Sequence, residues 1–398
     1  MTDAGTRSET NAPARHYPRL DGVRGIAALM VAASHAALLW TPNGSWERYS
    51  MDAWVFGLMT YGWAGVVLFF VLSGWLISQP FWRHGVSHLD DYARRRVGRI
   101  VPLFWLQIAL FAGLMSWLDS VPGLHPRAEL DEVGWQAFMA FRLWPGAPVP
   151  WLSVWWTLPL ELSFYLLLPA LFWLRPAWRW TCMLGLVLFA PGLRAAMALG
   201  WVSAPWSRVL IDHLPSRCDL FLIGVVAAGL WLQPNSWMRR LPASVWRWIG
   251  VLGLWALLAG SVAIGIVSPA AVPRSLPLAF WQSVFALLAT CWVVGCSELH
   301  SPTGGMRAGL TGAPITRWLG RLSYGIYLWH YPVFNMLQPW MRSWIEAPWQ
   351  LPVGLVLALL PVIALSYLSW RWVEAPAGAW FRRGWPIIGS RAGRAEAG

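Results

Sequence analysis

About ten stretches of this 398-residue chain are each long and apolar enough to cross a lipid bilayer. They fall at 20–40, 54–78, 100–118, 154–174, 180–200, 216–233, 246–268, 276–296, 316–339 and 351–373. A hydrocarbon core about 30 Å thick is spanned by roughly 20 apolar residues in a helix. Inside it the backbone must satisfy its own hydrogen bonds, and a helix does so segment by segment. The expected architecture is therefore all-α: a polytopic integral membrane protein of about ten transmembrane helices. Composition agrees, because 57% of the residues are hydrophobic and 12% are charged, against about 25% charged in ordinary soluble domains. Prolines within spans (Pro159, Pro169, Pro191, Pro332 and Pro361) predict kinks or broken turns that neighbouring helices must satisfy.

Charge sets the expected orientation. The net charge is +12, and every basic side chain other than histidine is an arginine. Arginines collect in 1–19, 79–99, 175–179, 234–245, 297–315 and the C-terminal segment. The alternate loops hold few arginines and carry acids such as Glu129, Asp131, Glu132 and Asp212. The positive-inside rule then places both termini in the cytoplasm. A basic membrane face accounts for the high pI and gives no reason to expect a nucleic-acid partner. Residues 1–19 read as a cytoplasmic tail without signal-peptide features. Residues 20–375 read as the membrane domain, and 376–398 as a second cytoplasmic tail. The expected location is the inner (plasma) membrane. Cys182, Cys218, Cys291 and Cys296 lie in or beside apolar segments without metal-ligand spacing, so they read as small core residues. The longest outer loop, 119–153, is acidic first and then rich in Pro, Trp and Gly. A loop of that length either meets a substrate outside or caps the bundle.

Ionisable residues inside spans are costly and default to a functional reading. His35 and His330 are the two histidines within spans, and Glu161 is a carboxylate well inside one. Arg24 and His35 are eleven residues apart, about three helical turns, so they share a face roughly 16 Å apart. Ala28 and Val31 lie between them on that face. One reading is a snorkelling arginine and a histidine bonded to a neighbouring helix. The other is a strip with a cation at its inner end, an imidazole at its outer end, and room for a slim ligand between. Counting about 1.5 Å per residue from the span ends puts His35, His330 and Glu161 at one level in the outer half. Two imidazoles and a carboxylate at one depth suit a base with an orienting partner.

A second polar layer is expected near the cytoplasm. The run VLFFVLSGWLIS places Ser73 and Gly74 near the inner surface, and DDYARRRVGRIVPLFW follows. Arg96 and Arg99, three apart, share a face if the third helix begins early. With Arg24 and Arg95 they would suit a phosphate-bearing anion, which guanidinium grips bidentately. Membrane anchoring would explain the arginines equally well, and helix packing would explain Ser73–Gly74.

Five motifs now stand in order: RLDGVRGIAALMVAASH (19–35), FFVLSG (69–74), RRVGRIVP (95–102), WWTLPLELSFYLLLP (155–169) and LGRLSYGIYLWHYPV (319–333). Together they resemble membrane acyltransferase family 3 over about residues 18–375. Two departures stand out: Thr157 where the family pattern has serine, and Leu162–Ser163 where acids or a glutamine usually follow the glutamate. The resemblance implies a ten-helix core that transfers acyl groups, often acetyl, to hydroxyls of cell-envelope polysaccharides, peptidoglycan sugars or macrolide-type metabolites. It implies acyl-CoA as co-substrate, with no bound cofactor and no metal. It carries catalytic roles to His35, Glu161 and His330, and donor binding to Arg24, Ser73, Gly74, Arg96 and Arg99. The sequence expectation is an integral membrane O-acyltransferase with an acyl-CoA donor, a carbohydrate or small-molecule acceptor and the bilayer as partners. The rival reading is a permease for an anionic solute, because buried ionisable residues and broken helices serve transport as well.

Overall fold

The computed structural model describes residues 17–41, 50–118, 121–125, 128–264, 276–297 and 309–383. Helix α1 (Pro18–Trp40) opens with proline at its first position and Asp21 in its first turn, both suited to the donor-rich end of a helix. Helix α2 (Met51–Thr60) is capped by Ser50, whose hydroxyl accepts the Ala53 N–H at 3.2 Å. A 3₁₀ turn, Tyr61–Ala64, carries it into α3 (Gly65–His84). Then come α4 (Leu89–Met115), the short α5 (Val133–Ala137), α6 (Thr157–Trp173) and α7 (Pro176–Ala198). The short α8 (Ala204–Leu210) precedes α9 (Cys218–Leu232), α10 (Ala243–Ala263) and α11 (Leu276–Cys296). The chain closes with α12 (Gly309–Gly312), α13 (Pro314–Arg321), α14 (Ser323–Trp344), α15 (Leu351–Ser369), a π-turn at Trp370–Glu374 and α16 (Ala375–Arg382). No β-strand occurs among the described residues.

Each expected span is matched by helix, and eight helical stretches are long and apolar enough to cross a membrane. The differences have local causes. Helix α4 starts at Leu89, well before residue 100, because the Asp-Arg run DDYARRR pairs with itself along the helix: Arg94 with Asp90, and Arg95 with Asp91 at 2.7 Å. The ninth span is two helices, α13 and α14, that meet at Leu322. The stretch 376–382, read from sequence as the start of a tail, is helix α16, whose Phe381 lies against Gly98 of α4. The helices run unbroken through Pro169, Pro191, Pro332 and Pro361. Pro159 sits in the first turn of α6, where no N–H is needed. Both chain ends lie outside the described residues.

Helix α1 is the hub, packing on α2, α3, α11, α12, α13, α14 and α15. Small residues allow this. A Cβ on Gly25 would stand 2.4 Å from the Thr316 carbonyl oxygen, and one on Gly320 would stand 1.8 Å from that of Asp21. Gly74, read from sequence as a donor-binding candidate, occupies the crossing of α3 and α9. A Cβ there would meet the Phe221 oxygen at 2.0 Å, and opposite it one on Gly224 would meet the Val71 oxygen at 2.4 Å. Registers follow an up-and-down bundle. Trp40 donates to Phe334 O, and Gln338 and Arg342 donate to Leu39 O, so α1 and α14 run parallel, as first and ninth spans must.

An ion pair that the sequence reading passed over sits in the core. Arg194 of α7 and Asp219 of α9 are both fully buried and meet bidentately, at 2.8 and 3.0 Å. Arg194 also donates to Ala279 O, Ser216 O and Ser283 Oγ, and Ser283 donates to Asp219 at 2.6 Å. Removing one partner of such a pair strands a charge, at about 3–5 kcal/mol. Thermal melts in detergent should therefore show Asp219→Ala strongly destabilised and the double change Arg194→Met, Asp219→Leu less so. A neutral Asp219→Ala would contradict a stabilising role for this pair.

Candidate active site

The two span histidines meet. His330 Nε2 lies 3.1 Å from His35 Nδ1, with ring centroids 5.0 Å apart. The surrounding carbonyls fix the protons, because a carbonyl oxygen only accepts. His330 Nδ1 faces Ile326 O at 3.0 Å, so that nitrogen carries hydrogen. His35 Nδ1 faces both Val31 O at 3.1 Å and His330 Nε2, so it also carries hydrogen and shares it between two acceptors. His330 is thereby a neutral acceptor at Nε2, and the Nε2 of His35 takes no part in this chain. His330 is completely buried, whereas His35 is partly exposed. His35 is thus the more exposed ring of the two, and its bonds to Val31 O and His330 favour the tautomer with Nε2 unprotonated.

Aromatic neighbours pack the pair. Tyr331 stands edge-on to His35 at 5.2 Å, and Tyr327 and Phe334 flank His330 at 5.9 and 5.7 Å. Helix α4 supports them from behind: Gln107 donates to Leu328 O at 3.1 Å and accepts the Trp155 indole N–H at 3.1 Å.

Glu161 lies on a different level. Along α6, Thr157 meets the Tyr327 hydroxyl at 2.9 Å, and Tyr165 O accepts the Tyr92 hydroxyl of α4 at 3.0 Å. Glu161 sits between these levels and accepts the Tyr165 hydroxyl. Counting from Tyr327 along α6 and α14 puts Glu161 about 10 Å inward of His330. The common depth expected from span ends does not hold, because those ends say nothing of how neighbouring helices are staggered. His35 is held instead by His330 and Val31.

Further in lies the arginine layer. Arg24 feels the charges of Arg99, Asp21 and Arg96 and the Tyr165 hydroxyl. Arg96 stacks over the Tyr165 ring at 5.7 Å. The Nε atoms of Arg24 and Arg96 are buried without a hydrogen-bond partner. Three guanidinium groups in one region, two with an unmatched donor, suit an anion of several charges. Arg95, a sequence candidate for this group, instead pairs with Asp91 on a half-exposed face. Glu374, at the π-turn, borders Arg99 and was missed because it falls just past the last expected span. Ser73 is buried in α3 beside the Gly74 crossing. Ala28 and Val31 are each 1% exposed, so protein covers the strip between Arg24 and His35. The described residues hold no cluster of His, Cys, Asp and Glu able to bind a metal.

Fold and site define a class: a polytopic helical membrane protein with an intramembrane histidine pair above an arginine layer. The chain belongs to an acyltransferase family, since the Acyl_transf_3 family model, described as an acyltransferase domain, matches residues 17–371. Among similar proteins, "Peptidoglycan O-acetyltransferase OatA" of Listeria monocytogenes is 26% identical over 91% of this chain and 56% of its own length. "Exopolysaccharide production protein ExoZ" of Rhizobium meliloti is 29% identical over 68% of this chain and 76% of its own. "Nodulation protein 10" of Rhizobium leguminosarum bv. viciae is 27% identical over 91% and 93%. The chain spans little more than half the length of the peptidoglycan-acetyltransferase relatives it matches. No solved structure matches it significantly. The family match does not favour the permease reading.

The tautomer assignment is directly measurable. In ¹⁵N-histidine-labelled protein, His35 should show a protonated Nδ1 and a bare Nε2, and His330→Phe should mix the two forms. A wild-type spectrum with the proton on His35 Nε2 would contradict the bonding chain.

Proposed function

We propose that this protein is a membrane O-acyltransferase that moves an acyl group, in the simplest case acetyl, from acyl-CoA to a hydroxyl of a carbohydrate acceptor. The observation that carries this reading is the His35–His330 contact, in which His35 Nδ1 is the donor and Nε2 is left as the free acceptor of a partly exposed ring. In the proposed reaction, Nε2 takes the proton of the acceptor hydroxyl as its oxygen attacks the thioester carbonyl carbon. The C–S bond breaks, and the proton passes from His35 to the departing thiolate. The new ester and free CoA balance the step. His330 acts through His35: its Nε2 accepts the Nδ1–H and steadies the imidazolium that forms, the part a carboxylate plays in a hydrolase triad. General-base assistance of this kind contributes about 10²–10⁴-fold.

In this reading Arg24, Arg96 and Arg99 bind the donor's phosphates at the inner, cytoplasmic end. Glu161 and Tyr165, lying between the arginine and histidine levels, border the route along which the acyl group reaches His35. The covered Ala28–Val31 strip argues that the pantetheine arm runs beside that glutamate rather than along α1. The family match and the O-acetyltransferase relatives support the chemistry, and the ExoZ relative supports a glycan acceptor.

Purified full-length protein in nanodiscs, given labelled acetyl-CoA and a panel of glycans, tests the proposal. His35→Ala should lower transfer by about 10²–10⁴-fold. His330→Ala should lower kcat while leaving the acetyl-CoA KM unchanged. Arg96→Gln should raise that KM about tenfold, the equivalent of losing one charge-assisted hydrogen bond. Equal transfer by wild type and His35→Ala, or no transfer by wild type to any acceptor, would overturn the reading.

A further inference from the structure

A cleft lies at the end of the bundle where α4 and α7 finish and α6 and α9 begin. It has a volume of about 770 Å³ and is lined by Glu129, Glu132, Arg142, Trp144, Arg208 and Asp212, among others. That volume is in the range of small-molecule sites. Two chain segments that are distant in sequence build it: the loop 128–150 between α4 and α6, and residues 205–212 around α8. An Arg142–Asp212 ion pair ties the two together.

The loop is held in a costly shape. Arg142 adopts φ +54° and Met139 φ +56°, left-handed conformations that non-glycine residues seldom take and that carry strain. Compensating bonds hold the turn closed: Arg142 N–H donates to Pro148 O at 2.8 Å, and Gln136 donates to Val149 O at 2.8 Å. The outcome is a rim on which Trp144 is 42% exposed and stands edge-on to the exposed Trp135 at 5.6 Å. Beside them, the Glu132 carboxylate lies next to the Trp151 indole.

The floor of this loop leads to the histidine pair. Trp151 N–H donates to Gln136 Oε1 at 3.2 Å, and Trp151 O accepts the His125 N–H at 2.7 Å. Four residues on, Trp155 bonds Gln107, which in turn holds Leu328 O on the helix of His330. Val154 O accepts the Tyr327 hydroxyl at 2.8 Å. Residues 151–157 therefore bond both the loop that lines the cleft, through Gln136, and the helix that carries His330, through Tyr327 and Gln107.

The lining chemistry discriminates among ligands. Three carboxylates face two arginines, and one of those arginines already pairs with Asp212. That balance repels a polyphosphate, so the acyl-CoA donor has no place here. An exposed indole face packs against the C–H face of a sugar ring, and carboxylate and guanidinium groups bond neighbouring hydroxyls. We propose that this cleft docks the acceptor as a polyhydroxylated glycan chain, with Trp144 as stacking platform and Glu132 and Arg208 as hydroxyl partners. The proposal rests on the O-acyltransferase reading and names the place where that reaction's second substrate waits.

Binding and transfer are measured separately on the full-length protein in nanodiscs, with chitotetraose and cellotetraose as glycan probes and acetyl-CoA as the donor probe. Trp144→Ala should weaken binding of the preferred tetrasaccharide at least tenfold, and Arg208→Ala severalfold, with acetyl-CoA binding unchanged. Trp144→Phe, which keeps an aromatic face, should retain most of the affinity and shows that the site still folds. Wild-type affinity in Trp144→Ala, or no glycan binding by wild type, overturns the cleft assignment, and transfer to glycan in the same sample would leave the enzymatic reading standing. Trp144-dependent glycan binding without any acetyl transfer supports the cleft and contradicts the enzymatic reading.

Discussion

The polar chemistry of this protein depends on how closely other helices approach α1. Helix α1 carries both Arg24 and His35; α14 comes near enough to bond His35, and α13 packs closely because glycines remove the side chains that would intervene. At Gly25 and Gly320 a single added carbon would overlap backbone oxygen. Lipid offers no hydrophobic drive for helices to associate, so close packing and interhelical bonds must supply it. The contact of α1 with α14, closed by Trp40 on Phe334 O and by His35 on His330, unites both sources.

That packing separates tasks along the membrane normal. The arginine layer, Glu161 with its tyrosines, and the histidine pair occupy successive levels, and the Trp144 cleft lies beyond the end of the bundle. A transfer between a charged donor and a polyhydroxylated acceptor profits from this order. On the proposed reading each substrate would meet groups suited to it from its own side, and only the reacting atoms would share the histidine level. The Arg194–Asp219 network stands apart. Its donors and acceptors are mutually satisfied, so it reads as the brace of α7, α9 and α11 rather than as chemistry.

Much of this was legible in the sequence, and the exceptions are instructive. Runs of apolar residues locate spans because length and hydropathy decide insertion. The eleven-residue spacing of Arg24 and His35 gives a shared face because helical periodicity is local. Local rules do not reveal which helices become neighbours. They could not tell that His330 rather than Glu161 holds His35, or that Ala28 and Val31 would be covered. Gly74 looked the same as a ligand contact or a helix crossing until Phe221 was seen against it. Arg194 and Asp219 lay in or at the start of expected spans, and their opposite charges within spans were the available signal. Tyr165, one turn from Glu161, could also have been read from spacing.

The central claim is that one ligand spans the arginine and histidine levels. A structure of the protein bound to a non-hydrolysable acetyl-CoA analogue tests it most directly. The account predicts the analogue's phosphates at Arg24, Arg96 and Arg99 and its carbonyl group within reach of a hydroxyl hydrogen-bonded to His35 Nε2. Phosphates bound elsewhere, or a carbonyl remote from His35, would contradict it.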